Sequence, residues 1–110
     1  MAEVQGYLGD LMAGDWWAEN CFPVVDVHIE LRRDLKKWLG VTIYPNGMLL
    51  TPSGMTESTV LHELAHILTP DYRDHGDQYV EVLLPLVREQ MGFYAWVELQ
   101  SGIESSCAFD

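Results

Sequence analysis

Positive charge is scarce in this sequence. Over 110 residues, six Lys and Arg stand against 17 Asp and Glu, which gives a formal net charge of −11. Proteins that bind nucleic acid by neutralising phosphates need many basic residues, and anionic membrane surfaces attract basic segments. The charge therefore predicts that neither nucleic acid nor a membrane is a partner.

Long apolar runs and closely spaced cysteines are also missing. No apolar run approaches the ~18 residues of a membrane-spanning helix. The two cysteines, Cys21 and Cys107, form no CxxC motif, and an unpaired, reduced state is typical of cytoplasmic proteins. Glu3 and Asp10 precede the first basic residue, unlike the basic start of a signal peptide. We therefore expect a cytoplasmic protein that folds without disulfides.

The length predicts a single domain over residues 1–110, because a domain typically takes roughly 100–200 residues. Apolar residues make up 48% of the chain, enough for a core. Hydrophobic periodicity predicts a helix, a strand, a hairpin and two further helices, over residues 2–20, 24–32, 41–51, 56–68 and 77–90 respectively. Asn46-Gly47 is a strong hairpin signal, and Pro45 favours a sheet edge. Pro85 predicts a kink or a break in the last helix, and the segment after Gly92 fits a strand or a helix equally.

Residues 62–66 are His-Glu-Leu-Ala-His, an HExxH motif inside the predicted helix 56–68. On a helix, His62 and His66 lie one turn apart and point the same way, so both imidazoles can reach one Zn²⁺ at ~2.0–2.1 Å. A helical projection places the apolar residues on a separate stripe and Glu63 just beyond the histidines. Glu63 is then poorly placed as a third ligand but well placed as the general base that activates a zinc-bound water.

A catalytic zinc requires a third protein ligand and one open position. His75 is the first choice, because three of the four histidines lie between positions 62 and 75. Its place at the start of a predicted helix also disfavours the charged imidazolium. Carboxylates in the same loop or on the following helix are the alternatives: Asp71, Asp74, Asp77, Glu81 and Glu89.

The reaction also requires a group that stabilises charge in the transition state. Tyr72 is the candidate nearest to the motif, although a loop tyrosine can equally serve to shield the core. The other candidates that the sequence offers are Tyr44, Arg73 and Tyr79.

The segments VLHELAH and HGDQY together resemble the SprT-like (Spartan-type) zinc metallopeptidases, in which His-Gly-x-x-aromatic follows an HExxH helix. They also resemble small metallohydrolases predicted in actinobacteria and their phages. The resemblance covers residues 57–83 and implies that His62, His66 and His75 bind zinc and that Glu63 is the catalytic base. It also implies that Tyr79, where the family usually has Phe or Trp, packs behind the third ligand. The DNA-repair members carry basic surfaces that a chain at −11 lacks.

These observations predict an α+β, zincin-like minimal metallopeptidase domain, with a small antiparallel or mixed sheet packed on the HExxH helix and the following helix. The predicted activity is zinc-dependent hydrolysis of peptide bonds. The substrate is expected to be a peptide or unfolded polypeptide, neutral or basic because acids outnumber Arg73 around the third ligand, and held against the edge of the hairpin 41–51. The alternatives are a non-catalytic zinc-binding module that binds a partner, and a metal-dependent hydrolase of a non-peptide amide.

Overall fold

A computed structural model describes residues 2–23, 26–34, 39–69 and 76–105. Within these ranges the chain is α+β, as predicted, with five α-helices and a three-stranded sheet. The elements in chain order are α1 (Ala2–Ala13), α2 (Asp15–Glu19), β1 (His28–Leu31), β2 (Gly40–Ile43), β3 (Gly47–Leu50), a 3₁₀ turn (Pro52–Gly54), α3 (Glu57–Leu68), α4 (Asp77–Met91) and α5 (Phe93–Ser105). No helix in the described part of the chain is long and apolar enough to cross a bilayer.

The sheet is mixed, with strand order β1-β3-β2. The central strand β3 pairs in parallel with β1 and antiparallel with β2, so that Met48 lies between Ile29 and Thr42. The β2–β3 pair confirms the hairpin predicted from Asn46-Gly47, and β2 lies at a sheet edge, as Pro45 indicated. Of the predicted strand 24–32, His28–Leu31 forms β1 and pairs with β3, while residues 24 and 25 lie outside the described part.

The predicted helix 2–20 forms as two helices that meet at Gly14, whose extended backbone (φ −81°, ψ 162°) ends the helical path. Leu8, Leu11 and Trp17 from this pair are buried and join the main hydrophobic core. The N-terminal third of the chain therefore supplies one wall of that core.

The HExxH helix α3 begins where the sequence predicted. Its N-cap is Thr56, whose hydroxyl accepts a hydrogen bond from the Thr59 amide at 3.3 Å. All nine residues from 59 to 67 are buried, the polar ones included. The histidines and Glu63 are therefore enclosed along with the apolar stripe, because α3 contacts β2 and β3 as well as α4.

Helix α4 runs without interruption through Pro85, so the predicted break does not occur. Proline removes one backbone hydrogen bond, but Pro85 is exposed and the opposite side of the helix is buried through Leu83, Leu86 and Val87. This packing holds the helix together across the missing bond.

The segment after Gly92 is the helix α5, which packs on α4. Where they meet, the Arg88 guanidinium lies 5.0 Å from the centre of the Trp96 ring. Helix α5 ends at Ser105, and residues 106–110 lie outside the described part.

Candidate metal centre

The three polar residues of the HExxH motif lie together in the interior. His62, Glu63 and His66 are 5%, 1% and 4% exposed. One donor atom from each lies within 4.8 Å of those from the other two. The imidazole rings of His62 and His66 are 5.1 Å apart between centroids and nearly perpendicular. Helical spacing predicted this pairing of the histidines, and the structure adds the carboxylate to the same small volume.

Glu63 is held from the side of the sheet. The Thr42 hydroxyl donates to Glu63 Oε1 at 2.8 Å and lies 3.2 Å from the Glu63 carbonyl oxygen. The other carboxylate oxygen, Oε2, is 3.9 Å from His62 Nε2. The carboxylate thus spans the space between the edge strand β2 and the histidine pair. Thr42 could not be identified from the sequence, because nothing in the pattern of β2 indicates which helix residue its side chain contacts.

Tyr79, in the first turn of α4, contacts both histidines. Its hydroxyl lies 2.8 Å from His62 Nδ1 and 3.1 Å from the His62 carbonyl oxygen. Its ring lies over that of His66, with centroids 4.4 Å apart and planes inclined by 33°. Tyr79 was among the candidates for a group that stabilises the transition state, and the bond of its hydroxyl to His62 could not be predicted from the sequence.

The donor set fits a divalent metal. An isolated carboxylate is costly to bury, so buried charges are paired or coordinate metal ions. Two imidazoles and a carboxylate in one enclosed volume offer N and O ligands of the types that Zn²⁺ binds. A cation between them would balance the charge of Glu63.

Apart from Tyr44, which follows β2 and is half-buried, the remaining predicted site residues fall into two groups. His75 and Tyr72 lie outside the described residues, together with Asp71, Arg73 and Asp74. The carboxylates of α4 are described and exposed: Asp77, Glu81 and Glu89. Among described residues, the cluster with metal-ligand spacing consists of His62, Glu63 and His66, so α4 contributes Tyr79 to this site rather than an acid.

The fold and the site together define an α+β protein with a buried His-Glu-His cluster on one helix. The chain is 34% identical to checkpoint protein RAD24 of Saccharomyces cerevisiae over 73 residues, which cover 58% of the chain but 11% of RAD24. No family model matches the chain, and no solved structure matches it. The chain thus spans a small part of this curated relative, and the SprT-like resemblance stays a prediction.

Proposed function

We propose that this protein is a zinc-dependent metallopeptidase of the zincin-like, SprT-like kind, which hydrolyses peptide bonds. The observation that supports the proposal most directly is the buried cluster of His62, Glu63 and His66, with donor atoms within 4.8 Å of one another. Three ionisable side chains converge on one point inside a small domain. A structural role in the core would be served equally well by apolar residues, whereas a metal centre requires these donors.

In the proposed site, His62 and His66 hold the metal together with His75 as the third ligand. When bound, Zn²⁺ supplies a Lewis acid and lowers the pKa of water at its open position. Glu63 accepts the proton of the attacking water and delivers it to the leaving amine. The bond from Thr42 fixes Glu63 Oε1 and leaves Oε2 on the side of His62 Nε2. Tyr72 is the proposed group that stabilises the developing negative charge.

The position of β2 supports a peptide as the substrate rather than a small amide. This strand lies at the edge of the sheet, and its Thr42 contacts the proposed base. An extended peptide can add to such an edge through main-chain hydrogen bonds. A peptide bound in this way would run past Glu63 with little dependence on its side chains.

The burial of the cluster favours a second candidate, a non-catalytic zinc-binding module. Structural zinc sites are closed by protein ligands, whereas catalytic sites keep one position open. At 1% exposure, Glu63 is enclosed as a residue of a closed site would be. The two candidates predict the same bound metal and differ in turnover.

Zinc content and peptide hydrolysis, measured on the same preparations, test the proposal. We expect one zinc per chain in the wild type, loss of zinc in His62→Ala and His75→Ala, and zinc without hydrolysis in Glu63→Gln. Glu98→Gln, an exposed glutamate of α5, is the matched control and should behave as wild type. A wild type that lacks zinc, or a Glu63→Gln variant with unchanged turnover, would overturn the mechanism. Zinc without hydrolysis of any unfolded protein would establish the second candidate.

A further inference from the structure

Large apolar side chains are exposed where α4 ends and α5 begins. Met91, Phe93, Tyr94 and Val97 are 37%, 54%, 83% and 39% exposed, respectively. They are four of the six large apolar side chains that are exposed in the described part of the chain. Single exposed apolar residues are ordinary, whereas a contiguous group of them marks an interaction surface. These four residues are called the α5 patch below.

The α5 patch lies on the outer side of its helix. Val97 follows Phe93 by four residues and Tyr94 by three, so the three side chains are neighbours on one side of α5. The rings of Phe93 and Tyr94 contact each other, with centroids 5.8 Å apart. On the other side of the helix, Ala95 and Leu99 pack against the hydrophobic core. Helix α5 therefore covers the core with one side and presents an apolar surface with the other.

Charges of opposite sign flank the α5 patch. At the start of the helix, the Arg88 guanidinium lies 5.0 Å from the centre of the Trp96 ring and 5.9 Å from that of the Phe93 ring. Glu98 is exposed one turn beyond Tyr94. The ion pairs of the described residues include neither Arg88 nor Glu98. The patch thus has a positive end and a negative end along α5.

This arrangement is complementary to itself. Two antiparallel copies of α5 that cross between residues 95 and 96 place Tyr94 of each copy opposite Val97 of the other. The same crossing brings Arg88 of each copy toward Glu98 of the other. The interface of a two-fold symmetric dimer uses the same surface on both subunits, so that surface must fit a copy of itself. An apolar centre between ends of opposite charge meets this requirement.

We propose that two copies of this chain associate through their α5 patches, with the helices antiparallel and Arg88 of each copy paired with Glu98 of the other. Aromatic residues, Met and Arg are the types enriched in protein–protein interfaces, and the patch with its flanking Arg88 contains all three. The net charge of −11 restricts the register, because an alignment that brought carboxylates together would be disfavoured. The dimer involves neither a metal nor a substrate, so it does not rest on the proposed function.

Sedimentation equilibrium of the purified chain, from about 10 μM to about 1 mM, measures the association. We expect a reversible dimer in the wild type. Tyr94→Lys should weaken the dimer by about tenfold or more, because the amine would be buried without a partner. Ile43→Lys is the control, since Ile43 is 49% exposed on β2 and the change in charge is the same; it should dimerise as wild type does. A wild type that stays monomeric throughout, as expected if the patch binds an unrelated protein, would overturn the proposal.

Charge reversal tests the antiparallel register. Arg88→Glu and Glu98→Arg each place like charges opposite one another across the dimer and should weaken it. The double variant Arg88→Glu/Glu98→Arg exchanges the two charges and should dimerise more tightly than either single variant. Glu19→Arg, at an exposed position of α2, makes the same change in net charge as Glu98→Arg and should dimerise as wild type does. A double variant that associates no better than the single ones would overturn the proposed pairing.

Discussion

The Thr42 hydroxyl, on the edge strand β2, donates a 2.8 Å hydrogen bond to Oε1 of Glu63 at the centre of the HExxH helix. The two residues are 21 positions apart in sequence. An extended peptide can add to this edge of the sheet. The bond therefore connects the proposed peptide-binding edge with Glu63, the proposed base. It also satisfies one acceptor of a side chain that is 1% exposed.

Replacing Thr42 by Val retains the β-branched shape and removes the donor. We expect Thr42→Val to lower the free energy of unfolding by about 1–3 kcal/mol, because a buried carboxylate oxygen loses its partner. We expect kcat for an unfolded protein substrate to fall more than zinc content does, since His62 and His66 remain in place. Urea denaturation, metal analysis and steady-state kinetics measure the three effects.

Thr42→Ser provides the control for this prediction, because it keeps the hydroxyl and loses only a methyl group. It should retain most of the wild-type kcat. If Thr42→Val and Thr42→Ser had the same kcat, the hydroxyl would have no part in holding Glu63.

Local signals in the sequence predicted the elements that carry the site, and the contacts between those elements could not be predicted. Asn46-Gly47 indicated the β2–β3 hairpin, and hydrophobic periodicity indicated α3, because both signals depend on residues close together in sequence. The bonds from Thr42 to Glu63 and from Tyr79 to His62 depend on how β2 and α4 pack on α3. A helical projection of one segment contains no information about those neighbours.

The burial of residues 59–67 of α3 has the same origin. Projection of this helix separates the apolar residues from the histidines, and it does not indicate how far neighbouring elements cover the histidine face. The structure places strands on one side and α4 on another, so that the polar residues are enclosed as well. At Pro85 the sequence predicted an interruption that the structure does not contain. The packing of α4 outweighs this local signal, and the helix continues through the proline.

Tyr7 and Glu57 connect the N-terminal helix to the first turn of α3. The Tyr7 hydroxyl donates to Glu57 Oε2 at 2.8 Å. Burial raises the pKa of Tyr7 well above its usual range, and the hydrogen bond to Glu57 and the charge of that carboxylate raise it further. Because the folded-state pKa lies above that of the unfolded chain, the stabilisation is fully present below about pH 10 and is lost as the pH rises above it.

We therefore expect Tyr7→Phe to lower the free energy of unfolding by about 0.5–1.5 kcal/mol at pH 7. Above pH 10, the stability of the variant should fall less steeply than that of the wild type. Urea midpoints measured from pH 7 to pH 10.5 report both effects. The exposed Tyr94→Phe should follow the wild-type curve, and equal slopes for Tyr7→Phe and wild type would contradict the assignment.

Replacing Gly54 or Gly9 by alanine is expected to change the stability of the protein in opposite directions. A Cβ on Gly54, in the turn before α3, would overlap the backbone carbonyl oxygen of Leu39, whereas a Cβ on Gly9 would meet no atom within 4 Å. Gly54→Ala should lower the free energy of unfolding by about 1–3 kcal/mol, because overpacking forces the backbone to shift. Gly9→Ala should stabilise α1 by about 0.5–1 kcal/mol, because alanine is the better helix former. Thermal denaturation of both variants measures the difference, and a shift of the same sign in both would contradict the packing at Gly54.

The charge around the proposed site predicts which peptides are cleaved. Asp77 and Glu81 are exposed on α4, on the helix that carries Tyr79, and the net charge of the chain is −11. At low ionic strength, matched Lys-rich peptides should be hydrolysed with a several-fold higher kcat/KM than Glu-rich ones. In 1 M salt this difference should become smaller, because salt at that concentration screens exposed charges beyond about 3 Å. Asp77→Asn should reduce the preference while leaving zinc content unchanged. Equal kcat/KM values for the two peptides at low salt would show that the acidic surface does not select the substrate.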